Sequence, residues 1–205
     1  MGFLDELGEL VQNVNDVASD ISKSTIDDYG EPEYTLYTAR KLEDIHREID
    51  IFDEDGNLKY YTKSAIIAIT GKTDIMDEEG KVIAHLEKKP ISLHQKHFID
   101  MKDGRHITLS TELFHIIEDI TNIEELGWQI KGNVIAHHFN IIDENGEPVA
   151  TVGRQAISIH NKYSIGIYQP VHEEVVVAIV IQLEKMLEDR DLNSSSSSFS
   201  TESND

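Results

Sequence analysis

The chain has 205 residues, 39% hydrophobic and 28% charged, enough for one well-buried domain with appendages. It contains no cysteine, which excludes disulfides, thiolate metal sites and thiol catalysis. Its net charge of −21 excludes a basic nucleic-acid footprint and sets the long-range field against anionic lipid.

The excess sits at the ends: residues 1–33 carry −8 and residues 188–205 carry −4, which leaves −9 for residues 34–187. The opening "MGFLDELGELV" lacks the positive n-region and long apolar core of a secretion signal. Instead Phe3, Leu7, Leu10, Val14, Val17 and Ile21 alternate in spacings of four and three, which predicts an amphipathic helix over 3–21. Its polar face holds Asp5, Glu6, Glu9, Asp16 and Asp20, whereas helices that lie on membranes carry Lys or Arg there. The apolar stripe is therefore expected to meet protein: the chain's own barrel, a second copy, or an unknown partner. Gly30-Glu31-Pro32 closes this unit, residues 1–33, as a linker.

From Tyr34 to Pro170 the pattern has period two, broken by Asp55-Gly56-Asn57, Glu79-Gly80-Lys81, Asp103-Gly104-Arg105 and Asn145-Gly146-Glu147. Glycine in each turn can take the positive φ that hairpin loops demand. Val82, Ala84 and Leu86 are expected to face inward, with Ile83, His85 and Glu87 outward. Ten or more half-buried antiparallel strands follow. Residues 74–99 and 140–165 align without a gap at an offset of 66, with ten of 26 positions identical. The identities include turn, core and polar positions, which reads as an internal duplication.

Val175 to Ile181 is the longest apolar run, far short of the roughly 20 residues that span a bilayer. It has no polar side, so a helix here is enclosed by protein. β-branched residues make a strand the competing reading, but the continuation "QLEKMLEDR" favours a helix over 173–191. The polar, low-complexity residues 192–205 are expected to be disordered. Many hairpins followed by an all-apolar helix predict a closed antiparallel β-barrel, residues 34–191, around a buried C-terminal helix. Closure removes exposed strand edges.

The "IxDExG" pattern at Ile51–Gly56, Ile75–Gly80 and Ile141–Gly146 carries a family likeness, as do "KKPISLHQKHFI", "RQAISIHNKYSI", "GWQIKGN" and "VVVAIVIQLEKM". Together they resemble the LURP-one-related proteins, within the tubby C-terminal-like superfamily that also holds the phospholipid scramblases. The likeness covers roughly Leu42 to Asp189. It implies about twelve strands around a central hydrophobic helix. For function it implies little: tubby-type members bind phosphoinositide head groups through basic residues, and most LURP-one-related members have no established activity.

Lys88 and Arg154 are equivalent in the repeat and share the inward parity, each at a strand end. With Lys89, Lys96 and Lys162 nearby in sequence they form a candidate site for an anionic head group, although snorkelling strand-end charges are the simpler account. The ten histidines follow no metal-ligand spacing. His85, His94 and His160 fall on the outward parity, and His137 and His138 on opposite faces of a strand. The acidic turns fail as EF-hand loops: counting back from Gly56 puts Ile51 at the first ligand position and counting on puts Thr62 at the last. No nucleophile motif or Gly-rich phosphate loop occurs. A hydrolase at the barrel mouth would need clustered carboxylates or histidines of shifted pKa. The expectation is a cytoplasmic, non-enzymatic binding or scaffold protein without metal or cofactor. Its alternative is an anionic-phospholipid module peripheral to the membrane.

Overall fold

Period-two patterning becomes a single meander in the computed structural model of the chain, which describes residues 29–40, 48–64, 72–89, 96–110, 121–153 and 161–197. The predicted N-terminal helix, with Phe3, Leu7, Leu10, Val14, Val17 and Ile21, lies outside the described residues. So do Arg154, His94, His160 and residues 198–205.

Twelve strands are described: β1 (Tyr34–Arg40), β2 (Ile49–Phe52), β3 (Leu58–Ser64), β4 (Thr73–Asp77), β5 (Val82–Lys89), β6 (Lys96–Met101), β7 (His106–Ser110), β8 (Thr121–Ile123), β9 (Trp128–Asn133), β10 (His138–Ile142), β11 (Pro148–Gly153) and β12 (Asn161–Ile167). One α-helix, α1 (Glu173–Ser197), follows. The sheet order is β7-β6-β5-β4-β3-β2-β1-β12-β11-β10-β9-β8, because β1 pairs with β12, Tyr34 opposite Ile167. The end strands β7 and β8 come together without a shared ladder. There the Glu125 carboxylate accepts the Thr108 N–H at 3.1 Å, in place of a strand partner. The result is a nearly closed antiparallel barrel.

Three hairpins share one design. Asp53, Asp77 and Asp143 each turn a carboxylate oxygen back onto the N–H groups two and four residues on, at 2.8–3.1 Å. Gly56, Gly80 and Gly146 supply the left-handed residue, with φ of 80°, 81° and 83°. Registers agree as well: Ile51 opposes Tyr60, Ile75 opposes Ala84 and Ile141 opposes Ala150, each with a bulge at the next pair. The bulge corrects two expectations, since Val82 pairs with Met76 and stays outside the buried core. Ile83 is the extra residue between Ala84 and Val82, and it is buried rather than outward-facing.

The barrel is filled by α1. Val175 to Ile181 are all at most 2% exposed, packed in one cluster with Leu36, Ile51, Ile75, Ile99 and Ile141 of the strands. Each such Val or Ile contributes about 1.5–3 kcal/mol on burial. The enclosed segment is helical because a helix satisfies its own backbone groups, whereas a strand would need a ladder partner inside a barrel whose strands already pair with one another. The helix also runs beyond its expected end at Asp191 as far as Ser197. No helix among the described residues is long and apolar enough to cross a membrane.

Candidate functional site: an acidic cleft at the hairpin end

The tight turns and the helix N-terminus lie at one end of the barrel. Glu173, the first residue of α1, accepts hydrogen bonds from the hydroxyls of Tyr34 on β1 and Tyr60 on β3, the second at 2.5 Å. A carboxylate is favourable there because the helix N-terminus carries partial positive charge. Burial, then the bond to Glu173 and its charge, push both phenols well above the ordinary tyrosine range. Both therefore stay protonated and serve as donors.

Beside this pair opens a cleft of about 320 Å³, lined by Tyr34, Thr35, Asp53, Glu54, Asp55, Lys59 and Glu173. Four of these are acids. Glu54 accepts the Thr35 N–H at 2.9 Å, which ties the first hairpin to β1. Asp53 is held below the usual carboxylate range, chiefly by its hydrogen bonds from Asn57. Lys59 is turned to Glu78 at 2.9 Å, and that bond, ahead of all else, raises its pKa. The cleft's one lining cation is thus paired with an acid of the neighbouring hairpin. Chemically the cleft can receive a cationic group. Two of the exposed large apolar residues, Leu58 and Val171, stand at this same end, Val171 82% exposed.

The opposite end holds Lys88, Lys89, Lys96 and Lys162 of the basic residues singled out in sequence. Lys88 does face inward, but its Nζ pairs with Asp189 Oδ2 of α1 at 3.0 Å. Lys89 and Lys96 are direct cross-strand partners at the end of β5 and β6, and Lys162 lies on β12. Two further polar pairs bind the helix there. Gln182 Nε2 lies 3.0 Å from His97 Nδ1, with both residues buried, and among the described residues His97 Nε2 and Gln182 Oε1 have no partner. Burial pulls the His97 pKa down to about 4. His137 Nε2 meets Glu184 Oε2 at 2.8 Å. His137 is not a strand residue, as its sequence context suggested, but a turn residue with φ of 53°, which aims its ring at the helix. Histidine is among the residues that tolerate this region. Among the described residues no group of His, Asp and Glu could hold a metal ion.

Sequence reasoning missed Tyr34, Tyr60 and Glu173, which are far apart along the chain. Gln182 and Glu184 did carry a signal, as the first polar residues after the apolar run.

A family model described as LURP-one-related matches residues 34–184. The X-ray structure of a protein from Arabidopsis thaliana is similar in fold, with a TM-score of 0.50 and 17% sequence identity, over 77% of this chain and 93% of that one. No curated protein matches. The matched span takes in all twelve strands and the enclosed part of α1, and the chain belongs to the LURP-one-related family.

Proposed function

We propose that this protein is a non-enzymatic binding or scaffold module whose hairpin-end cleft receives a cationic group of a protein partner. The observation that carries this reading is the open acidic cleft beside Glu173 on a barrel whose interior is taken up by its own helix. A small-molecule pocket needs concave apolar volume, and the helix occupies that volume. Tyr34 and Tyr60, held protonated, offer donors rather than a base or nucleophile. Exposed Leu58 and Val171 add apolar contact at the same end. A cytoplasmic setting, a place in the tubby C-terminal-like superfamily and an origin by internal duplication belong to the same reading. The matching registers of the hairpins at Ile75 and Ile141 support the last.

The alternative is an anionic-phospholipid or phosphoinositide head-group module. Its support is the cross-strand pair Lys89 and Lys96 at the far end, with Lys162 on β12. Lys88 weighs against it, because its charge is spent on Asp189.

Binding of a labelled oligo-arginine peptide, with and without Glu54→Gln/Asp55→Asn, tests the two together with flotation on phosphoinositide vesicles. The cleft reading expects salt-sensitive peptide binding, weakened about threefold to tenfold by the double substitution, and no flotation. Flotation without peptide binding would replace it with the lipid reading.

A further inference from the structure

The two equivalent hairpin units present opposite outer faces, although their registers coincide. In the first unit the outward positions are Asp74, His85, Glu87, Phe98 and Asp100; at the same offset the second unit has Asn140, Thr151, Gly153, Ser164 and Gly166. Four of the first set are ionisable, Phe98 being the exception, and Asp74 and His85 pair at 2.7 Å with side chains 41% and 45% exposed. The second set carries no charge and is small. Outward parity here is fixed by the ladder, since Asn140 opposes Lys131, and Ile142 opposes Gln129, across β10 and β9.

Burial sets the β10 part of the second face apart, while Thr151, Gly153 and Ser164 are half-buried like their counterparts. Asn140 and Ile142 are each only 1% exposed, and Ile142 is not part of the core cluster. A solvated outer face would leave an isoleucine on it open to water. Its counterpart on the first unit, Met76, is only half-buried.

The path of the chain leads to this face. Glu33 N–H bonds Ile167 O at 2.8 Å, Tyr168 OH bonds Gly30 O at 2.7 Å, and the ring of Tyr29 meets that of Tyr168 edge-on at 6.5 Å. Pro32 lies over Gly166, so closely that a Cβ there would come within 3.1 Å of its ring. Residues 29–33 are thus laid against the outside of β12. Residues 22–28 reach at most about 24 Å when extended, ample to set a helix across strands spaced about 4.8 Å apart.

We propose that the N-terminal amphipathic segment, residues 3–21 of the same chain, docks on the outer face of β10, β11 and β12. The stripe Phe3, Leu7, Leu10, Val14, Val17 and Ile21 covers the uncharged surface beside residues 29–33, and the small residues Thr151, Gly153 and Ser164 let a helix approach closely. The acidic back of the segment then faces water and adds to the negative surface. The charged outer face of β4, β5 and β6 refuses the same stripe, which makes the docking one-sided. This assignment is independent of the cleft.

Because the chain has no native cysteine, one spin label can be placed cleanly. A nitroxide on Glu9→Cys, on the polar back of the segment, is read by paramagnetic broadening of backbone amides in the full chain. Docking predicts broadening at Asn140, Ile142, Thr151 and Ser164, and none at Asp74, Met76, His85 and Phe98. Adding Leu10→Asp/Val14→Asp should abolish it with the barrel spectrum otherwise retained. Broadening seen only when unlabelled spin-bearing protein is mixed with isotope-labelled protein would overturn the proposal in favour of a second copy. Absence of broadening on β10, β11 and β12 would overturn it outright.

Discussion

Lys88 Nζ and Asp189 Oδ2 stand 3.0 Å apart, joining the end of β5 to the helix that fills the barrel. The cation offered in sequence as a ligand contact is paired with the helix. Together with His97–Gln182 and His137–Glu184 it fixes α1 from its middle to Asp189. Tyr34 and Tyr60 fix its other end through Glu173.

Lys88→Glu should therefore lower stability rather than lipid affinity. Both partners are about one-third exposed, so the attraction itself is worth on the order of 1 kcal/mol; placing two carboxylates together adds a comparable penalty. Thermal unfolding should show a lower Tm for Lys88→Glu and recovery in Lys88→Glu/Asp189→Lys. An unchanged Tm would mean that the pair fastens nothing.

Tyr60→Phe removes a donor to a carboxylate from a residue only 7% exposed. Hydrogen bonds to charged groups contribute about 1.5–3 kcal/mol, and urea denaturation should show a loss in that range. Tyr34→Phe should cost less, because Tyr34 is more exposed.

His97 makes stability depend on pH. Its folded pKa of about 4 lies below the ordinary 6.5, so the unfolded chain binds the proton more readily. The neutral, buried ring contributes fully above pH 6.5, and that contribution is lost as pH falls toward 4. The span corresponds to roughly 3 kcal/mol. The difference in unfolding free energy between wild type and His97→Leu, followed from pH 7.5 to 4, should shift in favour of the variant across this window. A flat difference would show that burial does not control the ring.

Gly132 sits at φ of 115°, and a Cβ there would meet His138 O at 2.7 Å and Phe139 Cα at 2.9 Å. Both are backbone atoms of the opposing strand, so nothing yields cheaply. Gly132→Ala should destabilise the fold by about 1–3 kcal/mol, read as a lowered Tm, whereas Gly56→Ala, with open space around it, should cost less.

The architecture was legible because it is written locally. Each Asp-x-x-Gly turn specifies its own hairpin through the Asp carboxylate and the positive φ of glycine, and the run from Val175 to Ile181 can only be enclosed. Parity even placed Lys88 inward. What parity could not supply was the partner: Asp189 is 101 residues away, and only closure of the barrel brings the two together. The cleft was invisible for the same reason, since Tyr34 and Glu173 are 139 residues apart. Ile83 was misread because a bulge shifts alternation by one residue, and no periodicity reports a bulge in advance.

The most direct test of the account is where on the barrel a ligand acts. Amide chemical shifts of the full chain would be followed while an oligo-arginine peptide, and separately a soluble phosphoinositide head group, are added at physiological salt. Shifts are expected with the peptide at Tyr34, Thr35, Glu54 and Asp55, and none with the head group. Shifts with the head group at Lys89, Lys96 and Lys162, and none at the cleft, would contradict it.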